Sequence, residues 1–201
     1  MEKPYKTILE PADDEFVEKK SRFIAYTSPV HTVEEANAFI AGIRQRHWDA
    51  THNVPAFVLR SGVQRSSDDG EPGGTAGMPV LDVLLKSGVQ DVCVVVTRYF
   101  GGILLGAGGL VRAYSHACSL ALEAAGVVTM APCAAMELTV DYSYYERVNN
   151  LLADHGARVQ NADFGAAVTL AYTMEKTRLP AFAAALTELP GGKYAPTQTG
   201  S

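Results

Sequence analysis

Two stretches of this sequence gather residues able to do chemistry. The first, Ser67-Asp68-Asp69-Gly70-Glu71-Pro72-Gly73-Gly74-Thr75-Ala76-Gly77, sets three carboxylates within four residues and follows them with small, permissive ones. Oxygen ligands so placed can hold a hard cation such as Mg²⁺ or orient a basic partner, although the spacing is not that of a calcium-binding EF-hand loop. The plainer alternative for Asp68 and Asp69 is a turn that sets acidic groups at the start of the following helix, where its dipole favours them. So much glycine, at Gly73, Gly74 and Gly77, suggests a backbone that something approaches closely.

The second stretch runs from Arg98 through Tyr99, Phe100, Gly101 and Gly102 to Gly106, Gly108, Gly109 and Arg112. Free N–H groups at a helix start, flanked by two guanidinium groups, are how an anion site is built. Neither a Walker A loop nor a dinucleotide fingerprint is completed here. Equally, the glycines can serve close helix-to-strand packing, and Arg98 and Arg112 can pair with Asp68, Asp69 or Glu71. His52 has no Ser, Cys or second His at a catalytic spacing, which favours a structural role. Cys93 and Cys118 fall on apolar faces as inert buried thiols. Tyr142, Tyr144 and Tyr145, at a strand-to-helix junction, are expected to pack rather than stack on bases.

Periodicity supplies the elements that must position these loops. Phe16 to Pro29 reads as strand, and Thr32 with Glu35 forms a capping-box pattern before a helix from Val33 to His47. Val54 to Arg60 is a short strand and Ser61 to Gly77 a loop. A helix carrying Pro79 in its first turn runs to Gly88. Val92-Cys93-Val94-Val95-Val96 predicts a central strand covered on both faces, and the glycine stretch after it empties into a helix ending at Gly126. Val127 to Ala135 is the expected boundary between domains spanning residues 1–130 and 136–201. Beyond it the order is strand (Glu137 to Tyr142), helix (Tyr144 to His155), strand (Arg158 to Phe164), strand (Ala167 to Met174), helix (Leu179 to Leu189) and strand (Lys193 to Gln198). This is the βαββαβ order of a ferredoxin-like domain. The fold class is α+β.

Composition narrows the function classes. With 201 residues, 47% hydrophobic and 19% charged, the chain predicts an ordinary globular protein. The net charge of −5 divides into 12 basic against 15 acidic residues through Ala135 and 5 against 7 after it, so nucleic-acid binding would need a local basic patch. Three cysteines without a Cys-x-x-Cys pair suggest neither a disulfide framework nor a zinc site and fit a reducing cytoplasm. No apolar run is long enough to span a bilayer.

Lys20-Ser21-Arg22-Phe23, Ala50-x-His52-Asn53, Asp68-Asp69-Gly70-Glu71-Pro72-x-Gly74-Thr75-Ala76-Gly77-x-Pro79 and Arg98-Tyr99-Phe100-Gly101-Gly102 through Arg112-Ala113-Tyr114 together resemble the IMPACT/YigZ family. The motifs cover Phe16 to Gly126; the remainder is similar by pattern to the extra C-terminal domain of bacterial members. The resemblance implies an N-terminal domain of ribosomal-protein type with a left-handed βαβ crossover, and kinship in shape to domains IV and V of elongation factor G. It further implies a translation-linked role, since eukaryotic members regulate translation under amino-acid starvation through protein partners. On this basis the expected activity is binding of RNA, the ribosome or a translation-associated protein, with Arg22, Arg98 and Arg112 contacting phosphate, and no cofactor beyond the Mg²⁺ option. The alternatives are a phosphate- or nucleotide-binding enzyme using Leu105 to Gly109, and an oligomeric interaction module.

Overall fold

The computed structural model describes residues 3–189 and 194–199. These form two compact units, one spanning Tyr5–Met130 and the other extending from Ala131. In the first unit, the short strands β1 (Tyr5–Thr7) and β7 (Val128–Met130) pair antiparallel. The main sheet contains β2 (Ala12–Glu18), β3 (Ser21–Pro29), β4 (His52–Val58), β5 (Gln64–Ser66) and β6 (Val92–Tyr99). Its order is β2-β3-β6-β4-β5, and every neighbouring pair is antiparallel.

Strand β6 is central, and its valines divide by alternation between two apolar layers. Val92, Val94 and Val96 pack with Val54, Ala56 and Phe23 against the helices α2 (Gly77–Ser87) and α3 (Ala107–Ala125). Cys93 and Val95 pack with Ile24, Tyr26 and Phe57 against α1 (Val33–Arg46) on the opposite face. Burial on both sides explains why the run is β-branched and uninterrupted. It also pushes the Cys93 thiol up to about 12, and burial on α3 does the same to Cys118, so both are inert at neutral pH.

The cap of α1 is the one its sequence predicts, with a variation. Thr32 Oγ1 accepts from the Glu35 N–H at 3.1 Å, while the Glu35 carboxylate reaches back to the N–H of His31 rather than Thr32. Pro79 lies buried in the first turn of α2, where its missing N–H has no partner to lose, and Gly88 ends that helix at φ 71°.

Elsewhere the elements differ from the sequence expectation. The predicted strand from Phe16 is a hairpin, β2 and β3 joined through Lys19 and Lys20, with Glu18 opposite Ser21. Both lysines have positive φ, 45° and 65°, as a type I′ turn requires. The expected loop Ser61 to Gly77 contains the edge strand β5, whose polar Gln64-Arg65-Ser66 hides its pairing with β4. The glycine stretch ends sooner than expected, because α3 begins at Ala107 and takes Gly108 and Gly109 into its first turn.

The second unit contains β8 (Cys133–Val140), α4 (Tyr142–Asp154), β9 (Arg158–Phe164), β10 (Val168–Glu175), α5 (Leu179–Thr187) and β11 (Thr197–Gln198). The sheet order is β11-β8-β10-β9, antiparallel throughout. Alternate residues of β8 and β10, among them Leu138, Val140, Leu170 and Tyr172, meet Val148, Leu152, Phe182 and Leu186 of the two helices. Tyr144 and Tyr145 pack against this core as expected. The predicted start of the last strand, Lys193, lies outside the described residues. Among the described residues, no helix is long and apolar enough to cross a membrane.

Candidate functional site

Strand alternation decides which side chains can meet. Arg98 is the cross-strand neighbour of Phe23 on β3 and of His52 on β4, and all three project from the face covered by α2 and α3. Tyr114, two turns into α3, comes down onto the same spot, and Glu71 enters from the acidic loop.

The Arg98 guanidinium, only 5% exposed, donates from Nη1 to Glu71 Oε1 at 2.6 Å. Nη2 reaches Ser21 Oγ at 3.4 Å, and the guanidinium carbon stands 5.5 Å from the ring centroids of both Phe23 and Phe100. Arg98 Nε is buried without a hydrogen-bond partner among the described residues, so its charge rests on one carboxylate and two aromatic faces. Tyr114 donates its hydroxyl to the same Glu71 Oε1 at 2.7 Å. Burial, and then the hydrogen bond to Glu71, push this phenol far above its ordinary pKa, so it stays a donor.

His52 completes the group. Its Nδ1 lies 2.8 Å from the Asp69 carbonyl oxygen, which can only accept, so Nδ1 carries a proton. In the neutral ring, Nε2 is then an acceptor, and it stands 3.7 Å from Glu71 Oε2. That oxygen takes no hydrogen bond among the described residues. Sequence spacing favours a structural role for His52; the strand register places it beside the Glu71 carboxylate.

The three carboxylates of the acidic loop serve three separate ends. Asp68 accepts from the N–H groups of Gly74, Ala76 and Gly77 at 2.9, 3.1 and 2.8 Å, which caps α2. Burial raises its carboxyl, but the three N–H donors outweigh it and hold the group below the usual carboxylate range. Asp69, at φ 47°, accepts from Arg44 at 2.6 Å and from the Asn53 N–H at 2.7 Å. Thr75 is tied locally to the Pro72 carbonyl. Among the described residues, no cluster of three or more His, Cys, Asp or Glu side chains is arranged to hold a metal ion.

The glycines divide in the same way. A Cβ on Gly77 would lie 2.6 Å from the Ser67 backbone, and one on Gly101 would lie 2.0 Å from the Lys20 carbonyl carbon. At these two positions the close approach is by the chain itself. A Cβ on Gly73 or Gly74 would meet nothing, and Gly74, Gly102 and Gly106 adopt φ of 76°, 80° and 74°. Gly106 caps α3 without a side-chain hydrogen bond, and no acidic residue lies in the first turn.

The three arginines expected at phosphate do not converge. Arg98 is buried against Glu71, and Arg22 projects from the other face of the sheet, paired with Glu15. Arg112 is exposed on the first turns of α3. It lines a recess of about 250 Å³ with Lys19, His116, Phe16, Glu18 and Leu105. Beyond Leu105 a second cavity, about 380 Å³, opens over His52, Glu71 and Arg98, walled by Pro72, Phe100 and Leu110. Sequence reasoning missed Ser21 and Tyr114 as site residues, although both stand within the quoted motifs, Ser21 next to Arg22 and Tyr114 two residues beyond Arg112.

Fold and site together define a two-unit α+β protein whose N-terminal unit holds a buried Glu-Arg pair in the wall of one open cavity, with a basic recess that shares Leu105 with it. The sequence matches the family model of the Impact N-terminal domain over residues 19–122 and that of a domain of unknown function, DUF1949, over residues 138–193. It is 42% identical to the IMPACT family member YvyE of Bacillus subtilis (strain 168) over 94% of this chain and 88% of that one. The IMPACT family member YigZ of Escherichia coli (strain K12) is 37% identical over 87% of each chain. Protein IMPACT of Rattus norvegicus is 33% identical over 44% of this chain and 30% of its own. A crystal structure of an hypothetical protein aligns with TM-score 0.63 at 33% identity over 100% of both chains. The chain belongs to the IMPACT family.

Proposed function

We propose that this protein is a translation-linked RNA-binding protein, and that the recess between the β2–β3 hairpin tip and α3 grips the phosphate backbone. The observation that carries the reading is the gathering of Lys19, Arg112 and His116 around one recess, with Lys20 on the same turn, in a chain of net charge −5. No carboxylate lies within ion-pair distance of Lys19, Lys20 or Arg112 among the described residues, so these cations are available to phosphate. Gly109, in the first turn of α3, lines the same recess. The expected ribosomal-protein-like and ferredoxin-like folds, with the kinship in shape to two domains of elongation factor G that the family resemblance implies, support the reading by analogy. Membership of the family that includes Protein IMPACT supports the translation link.

The test is co-sedimentation with ribosomes and binding to single-stranded RNA across a salt series. Wild type is expected to bind with a steep salt dependence. A Lys19→Ala, Lys20→Ala, Arg112→Ala variant should lose affinity, with the salt slope shallower by about 1 for each contact removed. Absence of binding at low salt, or unchanged binding by the variant, refutes the proposal.

A further inference from the structure

The larger cavity has an unusual polar end. Glu71 is buried, with 3% of its side chain exposed, yet only Oε1 is engaged, by Arg98 and Tyr114. Glu71 and His52 both line the cavity, Oε2 takes no hydrogen bond among the described residues, and His52 Nε2, an acceptor when Nδ1 holds the ring's one proton, stands 3.7 Å from it. Two acceptors side by side on a cavity wall match a partner that presents two adjacent donors. An ammonium ion is disfavoured, because Arg98 already neutralises Glu71 at 2.6 Å. The remaining walls, Pro72, Phe100, Leu104, Leu105 and Leu110, suit a flat apolar body. Phe100, 46% exposed, offers a ring for stacking, and Leu104, 81% exposed, forms part of the rim.

We infer that this cavity binds a guanine base, its Watson–Crick N1–H and N2–H₂ donors facing Glu71 Oε2 and His52 Nε2. Guanine is the one common base with two donor groups side by side on that edge; adenine, cytosine and uracil each set an acceptor next to their donor and would meet the wall with like groups. Leu105 is a wall of both the cavity and the basic recess, so a nucleotide whose phosphate occupies the recess has its base at the cavity mouth. In that form the inference deepens the RNA-binding reading and rests on it for its source of guanine. The same chemistry is carried by a free guanine nucleoside.

Calorimetry of the full chain with guanosine, adenosine, cytidine and uridine, and in parallel with short single-stranded oligo(G), oligo(A), oligo(C) and oligo(U), tests the inference. Guanine is expected to be preferred in at least one arm, and the preference to disappear in Glu71→Gln, which retains an amide partner for Arg98. Phe100→Ala, at an exposed position that leaves the core intact, should weaken guanine binding about tenfold. Preference among nucleosides identifies a free ligand, and preference only among oligonucleotides identifies an RNA base. RNA binding indifferent to base identity and to Phe100→Ala overturns this inference and leaves the phosphate reading standing. Guanosine binding without RNA binding does the reverse, and no binding in either arm overturns both.

Discussion

The acidic-glycine loop and the arginine-glycine loop are both rich in glycine and behave differently. In the first, each carboxylate has its own protein partners: Asp68 caps α2, Asp69 joins α1 to β4, and Glu71 neutralises Arg98. Among the described residues, the second loop is hydrogen-bonded to the rest of the fold where it leaves β6, by the Phe100 N–H on Thr51 Oγ1 and the Gly101 N–H on Ser21 Oγ, and Leu105 packs on the core near its far end. Past that point Gly102 and Gly106 turn through open space, and Ile103 and Leu104 face solvent. Glycine-rich sequence thus builds a tied-down floor in one loop and an open rim in the other. What separates them is whether a backbone or a charge from elsewhere in the fold meets them.

The comparison breaks most sharply at Glu71. Replacing it with Ala leaves the Arg98 guanidinium buried without its counter-charge, and a loss of about 3–5 kcal/mol is expected in urea denaturation. Retention of near wild-type stability would mean that Arg98 escapes to solvent. The glycines give the next effect. Gly101→Ala drives a methyl into the Lys20 backbone and is expected to cost about 1–3 kcal/mol or more, whereas Gly73→Ala, with nothing near it, should be neutral or slightly stabilising. Equal melting temperatures for these two variants would remove the distinction between glycines needed for packing and glycines in open space.

The smallest effect is the acid dependence of Asp68. Its folded pKa lies below the ordinary value of 3.8, so its contribution is fully present above that value and is lost as pH falls through the folded pKa. Asp68→Asn should therefore be less stable than wild type at neutral pH, by about 0.5–2 kcal/mol as for other helix caps, and the two should converge below pH 4. Parallel stability curves across that acid range would show that the three N–H groups do not favour the ionised carboxylate.

The parts legible in the sequence were those governed by local rules. Thr32 and Glu35 announce the start of α1, and the β-branched run on β6 announces a strand buried on both faces. The Lys19-Lys20 turn was hidden because neither residue is one that normally adopts positive φ, and β5 because an edge strand needs no apolar pattern. The burial of Arg98 depends on Glu71, 27 residues away, and on two strand registers, none of which has a local signature. Tyr114 showed itself as an apolar-face residue, which it is, but its hydroxyl found Glu71 only through the fold.

The hairpin turn at Lys19 and Lys20 has a consequence for anyone redesigning this chain. A sequence optimised for the turn alone would read Asn-Gly, since side chains held at positive φ cost about 1–2 kcal/mol each. Consensus-style stabilisation would therefore select against both lysines and erase two of the cations nearest the recess. Thermal robustness and recognition pull in opposite directions at this turn, and a library screened only for melting temperature would discard the second while improving the first.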